Sequence, residues 1–577
     1  MHWQRWDLRN RLAAEELVGA YLREDPRLAP LVTAFPAVQS AAAAWSASMQ
    51  AGQGQEARER RAAVVARMER SYAAAGLACP DSLADFAAGA ATVVTGHQLC
   101  IAGGPAFVQA KLATTIRLAR DLSQRVGHPV VPVFWLAGED HDWAEVDHGY
   151  REGEEDAWRW QPAPDEVPVG GAVGRRAIDG SWVAAVRSGL TESGWRPEDA
   201  RTRWEAGTDG SGQPAGTWAT AMLRMVHADF GRHGVLVLDA DDPELKGCAL
   251  PLWEREIRQG GLATAVERAN GLLVAGGWEP AAHVRAVNAF ELRDNARVRL
   301  ERLPDGSIGP VDGAWQRSVD AQVEAVRQAP EAWSPNVLLR PLYQQWLLDP
   351  VATVGGPGET AYWLQLKPAF DQSGLRFPLV ILRDSWVALP AAAAHWLRDQ
   401  GWEGEDWREA DWQRRLLEPH EAALRAAAGL PGDWEAFAAR LAAVSQGVDA
   451  TLEGAARAAG ARMEQELEGL QKKWRKALRL RLAPAFAQAQ SVLRWTHPGG
   501  TPQERRLSLG ELAARPLAAP GGLQGLIDEA VAQPFSWSPS LWAIVAPDGL
   551  TGPDGLTGGD ASAAAPPSAL RPKTAGE

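Results

Sequence analysis

Residues 93–107 read VVTGHQLCIAGGPAF. A β-branched run stops at Gly96, the polar pair His97-Gln98 and Cys100 follow, and two more glycines lead into GPAFVQAKLATTIRLARDL (104–122). That second segment has the apolar spacing of a helix, and Pro105 suits its first turn, where a missing N–H costs nothing. Another apolar run, HPVVPVFWLAGEDHD (128–142), then ends in a burst of charge. Strand, glycine turn, helix and strand within about fifty residues make a βαβ unit, which predicts an α/β fold with a parallel sheet.

The same grammar returns further along the chain. HGVLVLDADDPELK (233–246) reads as strand, turn and helix. ATVGGPGETAYWLQLKPAF (352–370) with FPLVILRDSW (377–386) reads as strand, glycine turn, helix and strand. The sheet-forming core is expected over 91–390, with insertions at about 155–230, rich in Trp, Gly and Pro, and at about 260–335. Residues 1–90 are Ala-rich and read as helical, ending at ACPDSLADF (78–86).

Residues 391–495 read as helical. After the turn GLPGD (429–433), with Asp433 as a plausible N-cap, apolar residues recur at 434, 437, 441, 444, 448, 452, 456, 459, 463, 467, 470, 474 and 477. Steps of three and four over that distance predict a helix with a narrow apolar seam that ends before Pro484. Such a seam needs a second helix: either a coiled-coil arm, or a long helix packed on its own domain. Residues 496–546 return to the core. The tail from 547 carries PDGLTG twice and then Ala, Pro and Ser, a composition that cannot bury a core and is expected to be disordered.

Length predicts two to four folding units. The formal charge of −13 argues against a general nucleic-acid binder. Cys79, Cys100 and Cys248 stand far apart with no CxxC, which fits a reducing cytoplasm and excludes a cysteine-based zinc site. MHWQRWDLRN has no apolar signal region, and no apolar run approaches the roughly 18 residues of a membrane span, so neither secretion nor a membrane partner is expected. The 27 tryptophans against 5 tyrosines have no evident functional cause.

Three stretches carry chemistry. In the opening one, Gly96, Gly103 and Gly104 would let the backbone approach an anion, with His97 and Gln98 at the mouth, a His97 proton adding charge below about pH 6.5, and Lys111 two turns into the helix. A tight structural turn is the alternative. In FWLAGEDHDWAEVDHG (134–149), Glu139, Asp140, His141, Asp142, Asp147 and His148 crowd the carboxyl end of a strand, where open α/β sheets hold ligands. They could bind an ammonium group and move protons, hold a divalent metal in a hydrolase, or form a solvated acidic loop. The third stretch has Arg340, able to grip a carboxylate or phosphate, and a second glycine turn, Gly355-Gly356-Pro357, followed by Glu359.

Four segments in this order, VVTGHQLCIAGGPAF, VPVFWLAGEDHDWAEVDH (131–148), LLRPLYQQWLLDPVATVGGPGETAYWLQLKP (338–368) and HPGGTPQER (497–505), resemble the bacillithiol biosynthesis cysteine-adding enzyme family. The likeness runs from about residue 90 to 510. It implies a Rossmann-like core with connective insertions, a coiled-coil arm that pairs two chains into a homodimer, and a ligase that joins cysteine to glucosaminyl malate. Its core is similar in fold to that of class I aminoacyl-tRNA synthetases, which points to ATP or another nucleotide as the activating agent. On this view His141, Asp140, Asp142 and Glu139 handle the amine and its proton. Gly96, His97, Gln98, Gly103, Gly104, Lys111, Arg340, Gly355, Gly356 and Glu359 bind substrate or nucleotide, and Arg383, in LRDS, takes the place of a mobile phosphate-binding loop. Two departures stand out: His97 where the family usually has Gln, and an extra residue in Thr501-Pro502 before Gln503.

Overall fold

The computed structural model describes residues 1–547 except 14, 53, 151–156, 161–170, 294–295, 405–406, 429, 431–433 and 515–516. Asp433 and the tail beyond 547 therefore lie outside the described residues. The chain divides into two compact units, one of Met1–Ala391, Trp402–Gly404 and Thr501–Leu550, the other of Ala392–Gly401 and Glu405–Gly500.

The first unit is built on five parallel strands: β1 (Ala91–His97), β2 (Val130–Leu136), β3 (Leu236–Asp239), β4 (Ala352–Gly355) and β5 (Leu379–Leu382). Their order across the sheet is 3-2-1-4-5, the doubly wound arrangement. Every residue of β2, β4 and β5 is buried, which is why β2 and β5 read as unbroken apolar runs and not as alternations. The winding reverses between β1 and β4, paired from Ala352–Val93 to Val354–Thr95, so a crevice opens beyond their carboxyl ends.

Helix α1 (Ala106–Val126) follows β1 and stops at Gly127, whose φ of 69° lets its N–H reach Ser123 O at 3.0 Å. Helix α2 (Pro357–Trp363) follows β4. Its first turn is closed by Glu359, whose Oε2 accepts from Gly356 N at 2.8 Å.

Residues 1–90 are not helical throughout. Val38–Ala51 and Gln55–Ala74 are helices, but His2–Asp7 is a strand, antiparallel to Ser540–Val545, which in turn runs parallel to Ser385–Leu389. The partner of HWQRWD lies at the far end of the chain, so no local pattern announces it. The 155–230 region is also more regular than its composition suggests. It forms helices Gly180–Glu192, Pro197–Glu205 and Trp218–Phe230. Here the tryptophans find a structural use: Trp160 and Trp182 pack on Trp218, as does Trp143. The 260–335 region holds helix Gly261–Ala275 and a four-stranded sheet in the order Trp333–Pro335, Ala289–Arg293, Ala296–Arg302, Ile308–Pro310. Among the described residues no helix is long and apolar enough to cross a membrane.

In the second unit the seam is carried by two helices and not one. With α3 (Glu409–Ala427) before them come α4 (Trp434–Val448) and α5 (Leu452–Arg481), followed by α6 (Ala483–Thr496). The break falls where Asp449 Oδ1 accepts from Thr451 N and Oγ1 at 2.8 and 2.7 Å, a local turn that competes with helical pairing. Helix α5 folds back on α4, close enough that a Cβ on Gly460 would lie 3.0 Å from that of Ala438. Further along, α5 meets α3, where Arg479 donates to Gln413 Oε1 at 2.9 Å.

Candidate active site

The crevice between β1 and β4 opens into a cavity of about 600 Å³. Gly96, His97, Gln98 and Lys111 enter from the β1–α1 side, Gly356 and Glu359 from the β4–α2 side, and Glu139 and Asp140 from the exit of β2. Arg340 stands at the head of helix Arg340–Leu348, and Arg383 follows β5. Residues far apart in sequence thus meet because their strands are neighbours.

Buried Lys111 ties the two glycine-bearing turns together. Its ammonium donates to Gly96 O at 3.1 Å and pairs closely with Glu359. Burial draws the Lys111 ammonium below its ordinary value despite Glu359. For Glu359 burial works the other way, but Lys111 and the Gly356 amide outweigh it and hold the carboxyl below the usual range. Gly355, which does not line the cavity, provides room: a Cβ there would lie 2.8 Å from that of Glu359. Arg340 donates to Tyr362 Oη at 2.9 Å and to Gln344 Oε1 at 3.1 Å.

Arg383 is not on a free loop. Its Nη1 and Nη2 donate to the Glu504 carboxylate at 2.9 Å each, and its own N–H donates to Gly355 O at 2.8 Å. The guanidinium lies over Phe107 at 5.2 Å, and its buried Nε finds no hydrogen-bond acceptor among the described residues. That donor faces the Gly356 turn, where a Cβ on Gly356 would stand 3.9 Å away. Glu504 also accepts from Trp386 N at 2.8 Å, so the HPGGTPQER return pins the site from behind.

On the β2 side, Gln98 Nε2 donates to Asp140 Oδ2 at 3.0 Å and also contacts Glu145. Burial disfavours the Asp140 carboxylate, yet His141, Arg297 and Gln98 together hold it well below the carboxylate range. Glu139 pairs with the fully buried Lys246 at 2.9 Å, and burial nevertheless pushes its carboxyl up. His97 is neutral at physiological pH: burial, helped by Lys111, lowers its imidazole to about 4, so the expected proton below pH 6.5 does not arrive there. Its Nδ1 lies 3.1 Å from Gln98 O, the contact of an N–H donor, which leaves Nε2 as acceptor.

The remaining sequence candidates fall elsewhere. Gly103 and Gly104 have φ of 90° and 77°, as a glycine-only turn requires, but their amides donate to Cys100 O and Ile101 O. The first amide of α1, Ala106 N, donates to Leu507 O at 2.8 Å. These three amides are taken up within the protein, and Gly104 borders a second hollow beside the main cavity. His141 faces a neighbouring hollow with Trp143 and Arg176, and Asp142 is exposed and lines neither space. Asp147 is spent on Arg159 at 2.7 Å and His148 at 3.0 Å. Among the described residues no group of three or more His, Cys, Asp or Glu side chains is placed to hold a metal ion, so the 139–148 stretch does not assemble the donor set a metal hydrolase needs.

Arg297 is the chief residue the sequence concealed. It sits on the Ala296–Arg302 strand, donates to Ser334 Oγ and Pro335 O at 3.1 and 2.8 Å, lies over Phe290 at 4.0 Å, and approaches Asp140 at 3.7 Å. Arg285, Asn336 and Arg505 also line the cavity. The one sequence signal for Arg505 was its place in the HPGGTPQER segment.

Comparison with known proteins agrees with this architecture. The model of the N-terminal Rossmann-like domain of bacillithiol biosynthesis BshC matches residues 1–384, and that of its C-terminal coiled-coil domain matches residues 434–515. Three relatives described as "Putative cysteine ligase BshC" are each 30% identical to this chain. That of Cytophaga hutchinsonii matches over 72% of this chain and 77% of its own, that of Salinibacter ruber over 74% and 78%, and that of Symbiobacterium thermophilum over 78% and 84%. With both domain models matched in order, the chain belongs to the bacillithiol biosynthesis BshC family.

Proposed function

We propose that this protein is a ligase that joins the carboxyl group of L-cysteine to the amine of glucosaminyl malate, forming bacillithiol. The observation that carries the reading is the charge of the cavity. Lys111, Arg285, Arg297, Arg340, Arg383 and Arg505 line it against Glu139, Asp140 and Glu359, in a chain of net charge −13. A positive cavity in an acidic protein selects an anion, and a malate group brings two carboxylates that Arg can grip in a fork. The names of the relatives supply the cysteine.

An amide made from a carboxylate and an amine needs an activated carboxyl. A nucleotide of the ATP type is proposed to supply it, with Lys111, Arg340, Arg383 and the Gly356 turn as the groups that would hold its phosphates. The amine must lose a proton before it attacks. Asp140, ionised, suits the ammonium form, and Glu139, its carboxyl raised by burial, suits the proton. His141, outside the cavity, is assigned no direct role. A homodimer is proposed through the second unit, in the reducing cytoplasm that a free-thiol product requires.

The test is direct. The purified protein is incubated with L-cysteine, glucosaminyl malate and each of several nucleotides, and the product is weighed by mass spectrometry. The amide mass should appear with one nucleotide. Its absence with all of them would remove the ligase reading.

A further inference from the structure

A second hollow, of about 400 Å³, adjoins the main cavity. His97, Gln98, Phe107 and Arg505 line both, so two ligands would face each other across these side chains. The character of the second space is different. Its charges come in both signs: Arg505 and Arg506 from the C-terminal return, Glu145 and Glu511 against them. Most of the remaining wall is aromatic or aliphatic, with Tyr150, Trp158 and Trp195 prominent. The polar parts are held in place. The Arg506 guanidinium lies 4.6 Å over the Tyr150 ring, Glu511 Oε2 accepts from Ser508 N at 2.8 Å, and Trp195 Nε1 donates to Ser508 Oγ at 3.1 Å.

A space with an excess of cations takes an anion, and a purely apolar one takes an acyl chain. Balanced charges over a small aromatic chamber suit a zwitterion on a short body. Aromatic walls also favour a polarisable sulfur atom. We infer that this hollow is the subsite for a free α-amino acid with a short, polarisable side chain, which meets the anionic acceptor across His97 and Gln98. The inference rests on the ligase reading, under which the amino acid is L-cysteine. Cys100 in the same wall does not upset this balance of charge: burial pushes its thiol up to about 12, so it stays a neutral thiol.

Ala144 lines the hollow from an exposed position on the short helix Trp143–Val146, so Ala144→Phe fills the space without stripping a packed contact. Arg506→Gln removes one charge and little volume, and carries the test if the first variant does not fold. Steady-state kinetics are measured with each substrate varied in turn. Both variants should raise KM for L-cysteine by about tenfold or more and leave KM for glucosaminyl malate within about twofold, with Arg285→Gln in the main cavity showing the reverse split. An unchanged KM for cysteine, or equal rises for both substrates, overturns the subsite assignment while the ligase reading stands. A wild-type enzyme that makes no amide from the two substrates sinks the ligase reading, and the subsite with it.

Discussion

At the scale of single residues, the site is held by charges that burial makes costly to separate. The Arg383 and Glu504 side chains are 3% and 5% exposed, and the Glu504 carboxylate accepts from both ends of the fork. Glu504→Ala should cost about 3–5 kcal/mol, because it strands a buried guanidinium, whereas Glu504→Gln should cost less. Urea denaturation measures both; a loss below about 1 kcal/mol for the alanine variant would mean that the pair does not form. His97 gives a pH signature. Its folded value of about 4 lies below the roughly 6.5 of an unfolded histidine. Between those values the unfolded chain binds a proton that the native state does not. The contribution is therefore complete above about pH 6.5 and is lost as the pH falls toward 4. The midpoint of unfolding should drop more from pH 7 to pH 5 in the wild type than in His97→Gln. Equal drops would place the imidazole in solvent.

At the scale of elements, two turns that look alike in sequence do different work. Gly103-Gly104-Pro105 and Gly355-Gly356-Pro357 both join a strand to a helix. The first is a closed turn whose amides bond backward to Cys100 O and Ile101 O, and the second borders the cavity beside Lys111 and Arg383. A side chain at Gly104 would need φ of 77° and would place its Cβ 2.8 Å from that of Cys100. Gly104→Val should thus lower the melting temperature, with strain of about 1–3 kcal/mol. A variant that melts as the wild type does would show that the turn accepts a side chain without strain. The apolar seam of 434–477 carries a related lesson. Its three-and-four spacing is real, but Asp449 closes a turn on Thr451, and much of the seam's partner is the chain itself.

For the molecule as a whole, the second unit keeps apolar surface that its own hairpin does not cover. Val444, Val448, Met463 and Leu480 are 71%, 79%, 49% and 74% exposed, and Leu470 is 40% exposed. Exposed aliphatics repeated along a helical pair are what a second copy would bury. Light scattering should give the mass of a dimer for the wild type, and Leu470→Asp combined with Val448→Asp should shift it toward the monomer. A monomeric wild type would end the dimer proposal. The strands His2–Asp7 and Ser540–Val545 are also paired in one sheet, so the first unit is completed only when the chain has returned from the second.

The βαβ grammar around Gly96, the charged exit of β2 and the second glycine turn were legible in the sequence, because buried strands and helix starts leave local marks: β-branched runs, glycine where a Cβ will not fit, proline where an N–H is not needed. The same marks, set in four ordered motifs, carried the family resemblance. What they could not carry is adjacency. Only the 3-2-1-4-5 order brings Gly96 beside Gly356 and lets Lys111 reach Glu359. Only the packing of an antiparallel insertion delivers Arg297 to Asp140, and only the C-terminal return gives Arg383 its Glu504. Tertiary structure likewise decided that His141 and Asp142 stay outside the cavity while their neighbours Glu139 and Asp140 line it. Periodicity reports that a residue is buried, which is a property of its own segment; which charge it is buried against depends on how distant loops close, and no local pattern encodes that.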